Sequence, residues 1–288
     1  MIRPAFVLAA VVAVAVAAAA RGQEICDRDG EACAVDGGTY RIALPDGGGP
    51  HGAVVMLHGF GGTGRGMLGL RGTVEALTAR GYAVIAPDGL PFEAGGERGS
   101  WSFLPETIRP RRRDEGAFLA AVVEDAAARH GVDAARVMLS GFSAGGFMVS
   151  YLACETPDAF AAYAPISGGF WRPHPDACAG PVKLLQTHGF RDATVPLEGR
   201  PLRGGRFVQG DIHEGLGIWR DANGCDWDDP DGYSETEGFL RRRWDCAPGS
   251  ALEFALFDGG HGIPRGWAEM ALDWFEEVTA PAPADEAD

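Results

Sequence analysis

Three side chains far apart in the chain have the chemistry of an activated serine. Ser143 lies in Gly141-Phe142-Ser143-Ala144-Gly145. The short apolar run Val137-Met138-Leu139 precedes it, and a segment carrying Met148, Val149, Tyr151 and Leu152 follows. Strand, sharp turn and helix fit that pattern, and Gly-x-Ser-x-Gly at such a turn holds a serine hydroxyl out of the sheet. The glycines matter because backbones crowd there; a Cβ at Gly141 or Gly145 is expected to clash. The same turn aims the Ala144 N–H at the place where an oxyanion would form. Asp192 lies in His188-Gly189-Phe190-Arg191-Asp192, just past an apolar run at 182–187. His261 lies between glycines after the last apolar run, 251–257. Alone, an aspartate in a loop is commonly a turn former and a single histidine a surface residue. Together the three come in the order Ser, Asp, His, each in a loop after a strand, which assigns nucleophile, acid and base.

The elements that must position them alternate in type. Strands are read at 39–44, 53–57, 82–86, 159–166, 182–187 and 251–257, besides the run before Ser143. Helices are read at 67–80, at 115–130 with Asp114 as cap and Gly131 as stop, at 211–223 and at 267–278. Segment 224–249 reads as polar and irregular. Such alternation predicts an α/β fold with a mostly parallel central sheet and helices on both faces.

The loops after the strands carry the remaining candidates. His58-Gly59-Phe60-Gly61-Gly62-Thr63-Gly64 follows a buried strand. It lacks the Gly-Lys-Ser/Thr of a phosphate loop and a dinucleotide fingerprint, so it reads as the second half of an oxyanion hole, with the Phe60 N–H as donor and His58 shaping the loop. Trp101 and Phe103 in the loop 90–110, Trp171 after the strand at 159–166, and Trp267 are candidate substrate contacts; indole and phenyl groups also fill cores, and both readings stand. Arg109, Arg111, Arg112 and Arg113 could attract an acidic substrate, but a solvated turn before a helix is the commoner case and the reading taken.

Composition bounds the rest. The chain has 288 residues, is 46% hydrophobic and carries a formal net charge of −15, enough for one large domain and a poor match to nucleic acid or anionic membranes. Arg3 followed by an apolar run from Ala5 to Ala20 reads as a signal peptide over 1–22, too short to span a bilayer, with no second apolar segment. The catalytic domain is expected over 23–279 and a disordered acidic tail over 280–288. Export makes the six cysteines a disulfide set. Six thiols allow 15 connectivities; proximity offers Cys26–Cys33, Cys154–Cys178 and Cys225–Cys246. Metal-ligand spacing is lacking.

The motifs LHGFGG at 57–62, APDG at 86–89, GFSAGG at 141–146, HGFRDATVP at 188–196 and GGHGIP at 259–264 resemble secreted α/β-hydrolase esterases of the polyhydroxybutyrate depolymerase and feruloyl (acetylxylan) esterase type. The resemblance runs from about Gly37 to Val278. It implies an oxyanion loop at the first motif and Ser143, Asp192 and His261 as catalytic residues. It also implies a small-molecule or polymeric ester substrate, no cofactor, no metal and no membrane partner once the signal is cleaved. It favours the Cys154–Cys178 and Cys225–Cys246 pairings. Two departures are visible: Phe60 stands where the depolymerases often have a cysteine, and Ile263 where a tryptophan is frequent. A peptidase or amidase, an acyltransferase, and a catalytically silent binding protein on the same fold are the rival readings. Oligomeric state is not legible.

Overall fold

The computed structural model describes residues 26, 31–96, 98–104, 110–226 and 232–281. The expected signal peptide and most of the expected acidic tail lie outside the described residues. In chain order the strands are β1 (Cys33–Val35), β2 (Gly38–Ala43), β3 (His51–Leu57), β4 (Tyr82–Pro87), β5 (Leu90–Pro91), β6 (Gly99–Ser100), β7 (Val132–Phe142), β8 (Ala162–Ile166), β9 (Lys183–Gly189), β10 (Pro201–Leu202), β11 (Phe207–Val208), β12 (Gly232–Thr236), β13 (Phe239–Trp244) and β14 (Ala251–Phe257). The helices are α1 (Gly64–Leu68), α2 (Arg71–Ala79), α3 (Glu115–His130), α4 (Ala144–Glu155), α5 (Ile212–Ala222) and α6 (Trp267–Thr279).

One sheet organises the molecule, in the order β1-β2-β4-β3-β7-β8-β9-β14-β13-β12. Its middle, from β4 to β14, is parallel. The outer strands at both edges are antiparallel. A parallel strand is covered on both faces, which is why β3 and β4 read as unbroken apolar runs. Alternate residues of β3 feed two cores. Val55 and Leu57 join Phe118 and Leu119 of α3, Phe147 of α4 and Trp219 of α5. Val54 and Met56 join Met67, Leu77 of α2 and Trp274 and Phe275 of α6.

Local chemistry sets the ends. The Asp114 carboxylate accepts the Ala117 N–H at the start of α3, and Gly131 closes that helix in the left-handed region at φ 68°. Asp211 accepts two first-turn N–H groups of α5. The helix expected over 67–80 is instead two, α1 and α2, separated at Gly69-Leu70; the apolar spacing persists across the break because both pieces cover the same core. A short strand, β1, precedes the expected first strand and pairs with it.

The described residues of 224–249 are not all irregular. They include the β12–β13 hairpin, turned by Glu237 and Gly238 at φ 49° and 87°, the two-residue turn with both central residues left-handed. Its apolar alternation is hidden because Arg241 and Arg243 occupy one face. Their partner is Glu253 in β14, 1% exposed and opposite Arg243 in register. Arg241 and Arg243 both donate to its carboxylate. All three expected disulfides are formed, Cys26–Cys33, Cys154–Cys178 and Cys225–Cys246, the last closing the base of this hairpin. Removing a buried charge from such a group leaves its partners uncompensated. Glu253→Ala is therefore expected to cost about 3 kcal/mol of unfolding free energy, read by urea denaturation; a loss below about 1 kcal/mol would show that the pairs are surface-like.

Candidate active site

Three loops at the carboxyl edge of the parallel strands meet over β7. Ser143 follows that strand directly, with φ 57° and ψ −116°, a region that residues with a side chain rarely adopt. The conformation is imposed by packing. A Cβ on Gly145 would strike the Leu57 carbonyl oxygen, and one on Gly141 would lie 2.6 Å from the Gly145 carbonyl carbon. The Ser143 N–H donates to the Ile166 carbonyl at 2.9 Å, fastening the turn to β8.

The Ser143 hydroxyl lies 2.9 Å from His261 Nε2, and His261 Nδ1 lies 2.7 Å from Asp192 Oδ2. Asp192 is buried, and burial by itself raises a carboxyl's pKa. The Val195 N–H bond, the bond from His261 and the Thr194 N–H bond outweigh it and hold the group below the ordinary carboxylate range. An ionised carboxylate only accepts, so Nδ1 carries the ring proton and Nε2 offers a lone pair to the serine.

A second histidine supports this turn from beneath. His188 is fully buried, and its Nε2 donates to the Val195 carbonyl at 2.8 Å. Burial pulls its pKa down and keeps it neutral. A charged His188, 3.7 Å from Asp192 Oδ2, would compete with His261 for the same carboxylate.

The loop carrying Phe60 is fastened on several sides. The Gly62 N–H bonds to the Gly59 carbonyl at 3.0 Å and the Gly61 N–H to the Gly99 carbonyl at 2.9 Å. The Gly64 N–H bonds to Asp88 Oδ1 at 2.7 Å. His58 bridges two backbones: its Nε2 accepts from the Gly89 N–H at 2.9 Å, so its Nδ1 donates to the Gly59 carbonyl at 2.7 Å. Burial lowers its pKa too. Among the described residues the Phe60 N–H has no backbone partner, and the Ala144 N–H, at the first position of α4, has none within the helix. Asp88, within the APDG motif, was assigned no role by the sequence; its carboxylate also accepts from Thr39 and Arg41 and ties this loop to β2.

Ser143 opens into a cleft of about 440 Å³. A larger cavity, about 1040 Å³ between α5 and the β13–β14 edge, holds none of the three residues. Phe103 and Trp171 line the cleft and stack, with centroids 6.4 Å apart; Phe147 of α4 packs against both. Trp101 lines it as well, but its indole N–H is committed to the His58 carbonyl at 2.7 Å, so it both walls the cleft and braces the Phe60 loop. Trp267 is not a substrate contact. It is 0% exposed and belongs to the apolar stripe of α6 with Ala271, Trp274 and Phe275, a spacing that marks a core face. The arginine run is divided. Arg113 pairs with buried Glu115 and lies 3.8 Å over Phe118, and Arg111 pairs with Glu155, whereas Arg112 lines the cleft. Arg109 lies outside the described residues. Sequence reading passed over the β10–β11 hairpin, whose Leu202 and Phe207 roof the cleft. Its signal was an Arg-Gly-Gly turn between two short apolar pairs.

A family model described as the alpha/beta hydrolase fold matches residues 52–208. The chain is 34% identical over 160 residues to the putative esterase NocK of Nocardia uniformis subsp. tsuyamanensis, spanning 54% of this chain and 44% of that protein. It is 28% identical over 245 residues to feruloyl esterase C of Emericella nidulans, spanning 81% and 79%. Among solved structures, the acetyl xylan esterase from Aspergillus awamori superposes with a TM-score of 0.60 at 18% identity, over 82% of this chain and 93% of that one.

The two buried neutral histidines predict an acid-sensitive fold. Their folded pKa values are lowered, so the unfolded chain binds protons that the folded chain refuses. The stability they contribute is complete above about pH 6.5 and is lost as pH falls toward the folded values. Asp192 has the same sign, but its loss begins only below about pH 4. Burial pushes the Glu115 carboxyl up against the pull of Arg113, so its contribution has the opposite sign and weakens as pH rises. The histidine effect is thus read as a difference. Tm should fall between about pH 7.5 and pH 5, and less steeply in His58→Gln; equal slopes in the two proteins would contradict the assignment.

Proposed function

Because the chain belongs to the alpha/beta-hydrolase family, we propose that it is a serine carboxylesterase acting through an acyl-enzyme. The observation that carries the reading is the unbroken hydrogen-bond path from Ser143 through His261 to Asp192 at the mouth of the aromatic cleft. His261 Nε2 takes the Ser143 proton as the oxygen adds to the ester carbonyl. The oxyanion that forms accepts from the Phe60 and Ala144 N–H groups, each worth roughly 3 kcal/mol in the transition state. Collapse expels the alcohol, which takes the proton from His261. Water then adds to the acyl-enzyme with His261 again as base, and the acid leaves with Ser143 restored. Asp192 keeps the imidazole in the required tautomer and stabilises its charge while it carries two protons. No step needs a metal or an organic cofactor.

Feruloyl-type esters are the favoured substrates. Two things support them: the aromatic walls formed by Phe103, Phe147 and Trp171, and the likeness to feruloyl esterase C along most of both chains. Acetylated polysaccharide and hydroxybutyrate oligomers are the other ester classes to screen beside them. We place the enzyme outside the cytosol, with 1–22 as its export signal; three disulfides support an oxidising compartment.

Two measurements test the reading. Ser143→Ala should lower turnover of 4-nitrophenyl acetate by about 10⁶-fold; a variant keeping most of its activity would remove Ser143 from the chemistry. Intact-mass analysis of mature protein should begin beyond residue 20, and an intact Met1 there would refute export by cleavage.

A further inference from the structure

The cleft at Ser143 is lined by Arg112, Arg200 and Arg203 and, among the described residues, by no aspartate or glutamate. That is unexpected in a chain with 40 acidic and 25 basic side chains. Several arginines elsewhere pair with carboxylates: Arg41 with Asp88, Arg80 with Asp273 and Glu276, Arg172 with Glu214 and Arg191 with Asp258. The cleft arginines do not. Arg112 and Arg203 have no carboxylate partner among the described residues. Arg200 is tethered only through Nε, 3.2 Å from Oε1 of the buried Gln209, which leaves its terminal nitrogens without a partner there.

The hairpin that carries two of these arginines is built to stay in place. The Gln209 N–H donates to the Arg200 carbonyl, the Arg172 N–H to the Val208 carbonyl, and Trp171 bridges to Gln209. Arg203 sits at φ 48°, followed by Gly204 and Gly205 at φ 70° and 87°. Glycine would hold that position without strain, so the cationic side chain is kept there at a conformational cost. The segment from Arg200 to Val208 contains Arg200, Arg203 and Arg206 and no acid.

We propose that this cleft selects esters that carry a negative charge, a carboxylate on the acyl or the alcohol portion, held by Arg200 and Arg203, with Arg112 adding to the positive charge of the lining. The inference rests on the esterase reading above and narrows its substrate class. A guanidinium fork matches a carboxylate in plane and charge, and a cationic cleft in an otherwise acidic molecule concentrates anions at the site that needs them. The aromatic walls take the uncharged part of the same molecule.

Matched pairs of esters that differ in one carboxylate test this. On the acyl side the pair is mono-4-nitrophenyl adipate against 4-nitrophenyl hexanoate. On the alcohol side it is 4-acetoxybenzoate against its ethyl ester. The readout is the anionic-to-neutral ratio of kcat/KM, compared between the native chain and the variants Arg203→Gly and Arg200→Gln. Arg203→Gly relieves the backbone, so its effect does not come from misfolding. In at least one pair the ratio should exceed one and fall about tenfold in either variant, mainly through KM. It should also fall as NaCl rises from about 0.01 M to about 1 M. Ratios at or below one in both pairs, or ratios that the variants leave unmoved, would overturn the charge selection while the hydrolysis of the neutral esters still upholds the esterase. Hydrolysis of none of the four would bring down both.

Discussion

The close approach of two backbones, Gly145 of α4 against Leu57 at the end of β3, is the constraint on which the rest of the site depends. No side chain fits between them. With that contact made, α4 must begin immediately after β7, and the residue at the bend is forced into the conformation seen at Ser143. Holding a serine there costs on the order of 1–3 kcal/mol. Burial offsets it: every residue from Ala144 to Cys154 is buried, so the helix cannot slide to relax the turn. The same contact brings the Phe60 loop, which leaves β3 directly after Leu57, beside the start of α4. One packing decision therefore sets Ser143 and the two N–H groups of the proposed oxyanion site.

Asp192 and His261, the proposed acid and base, are set by a different kind of constraint. Asp192 is buried and still ionised because two backbone N–H groups and an imidazole N–H satisfy it. That arrangement needs the turn after β9 to keep one shape, and His188 provides for this by bonding the Val195 carbonyl on the same turn. The carboxylate thus lies between a histidine whose burial keeps it neutral and the histidine proposed to gain and lose a proton. The difference is environment: His188 is fully buried within β9, and His261 remains partly exposed.

Most of the fold was legible because parallel strands and amphipathic helices write strong signals. The helix over 115–130 carried its cap and its stop in the sequence, and Asp114 and Gly131 take those roles. The site was legible for a related reason: Ser143, Asp192 and His261 each follow a strand, and parallel strands deliver all such loops to one edge. What stayed hidden was structure built from charge. The β12–β13 hairpin reads as polar because its inward face carries arginines, whose partner is the glutamate inside β14. The roof of the cleft was missed because two-residue strands have no period. Trp267 stayed open between cleft and core because an indole serves in either, and its packing with Ala271, Trp274 and Phe275 sets it in the core.

The central claim is that Ser143 is made nucleophilic by His261 and is reachable from the cleft. Peptide mapping after reaction with a fluorophosphonate tests it whatever ester the enzyme turns over. The account predicts one adduct, on the peptide containing Ser143, formed quickly in the native chain and at least a hundredfold more slowly in His261→Ala, about the contribution of a positioned base. No adduct on the folded protein, or an adduct on a different serine, would contradict it.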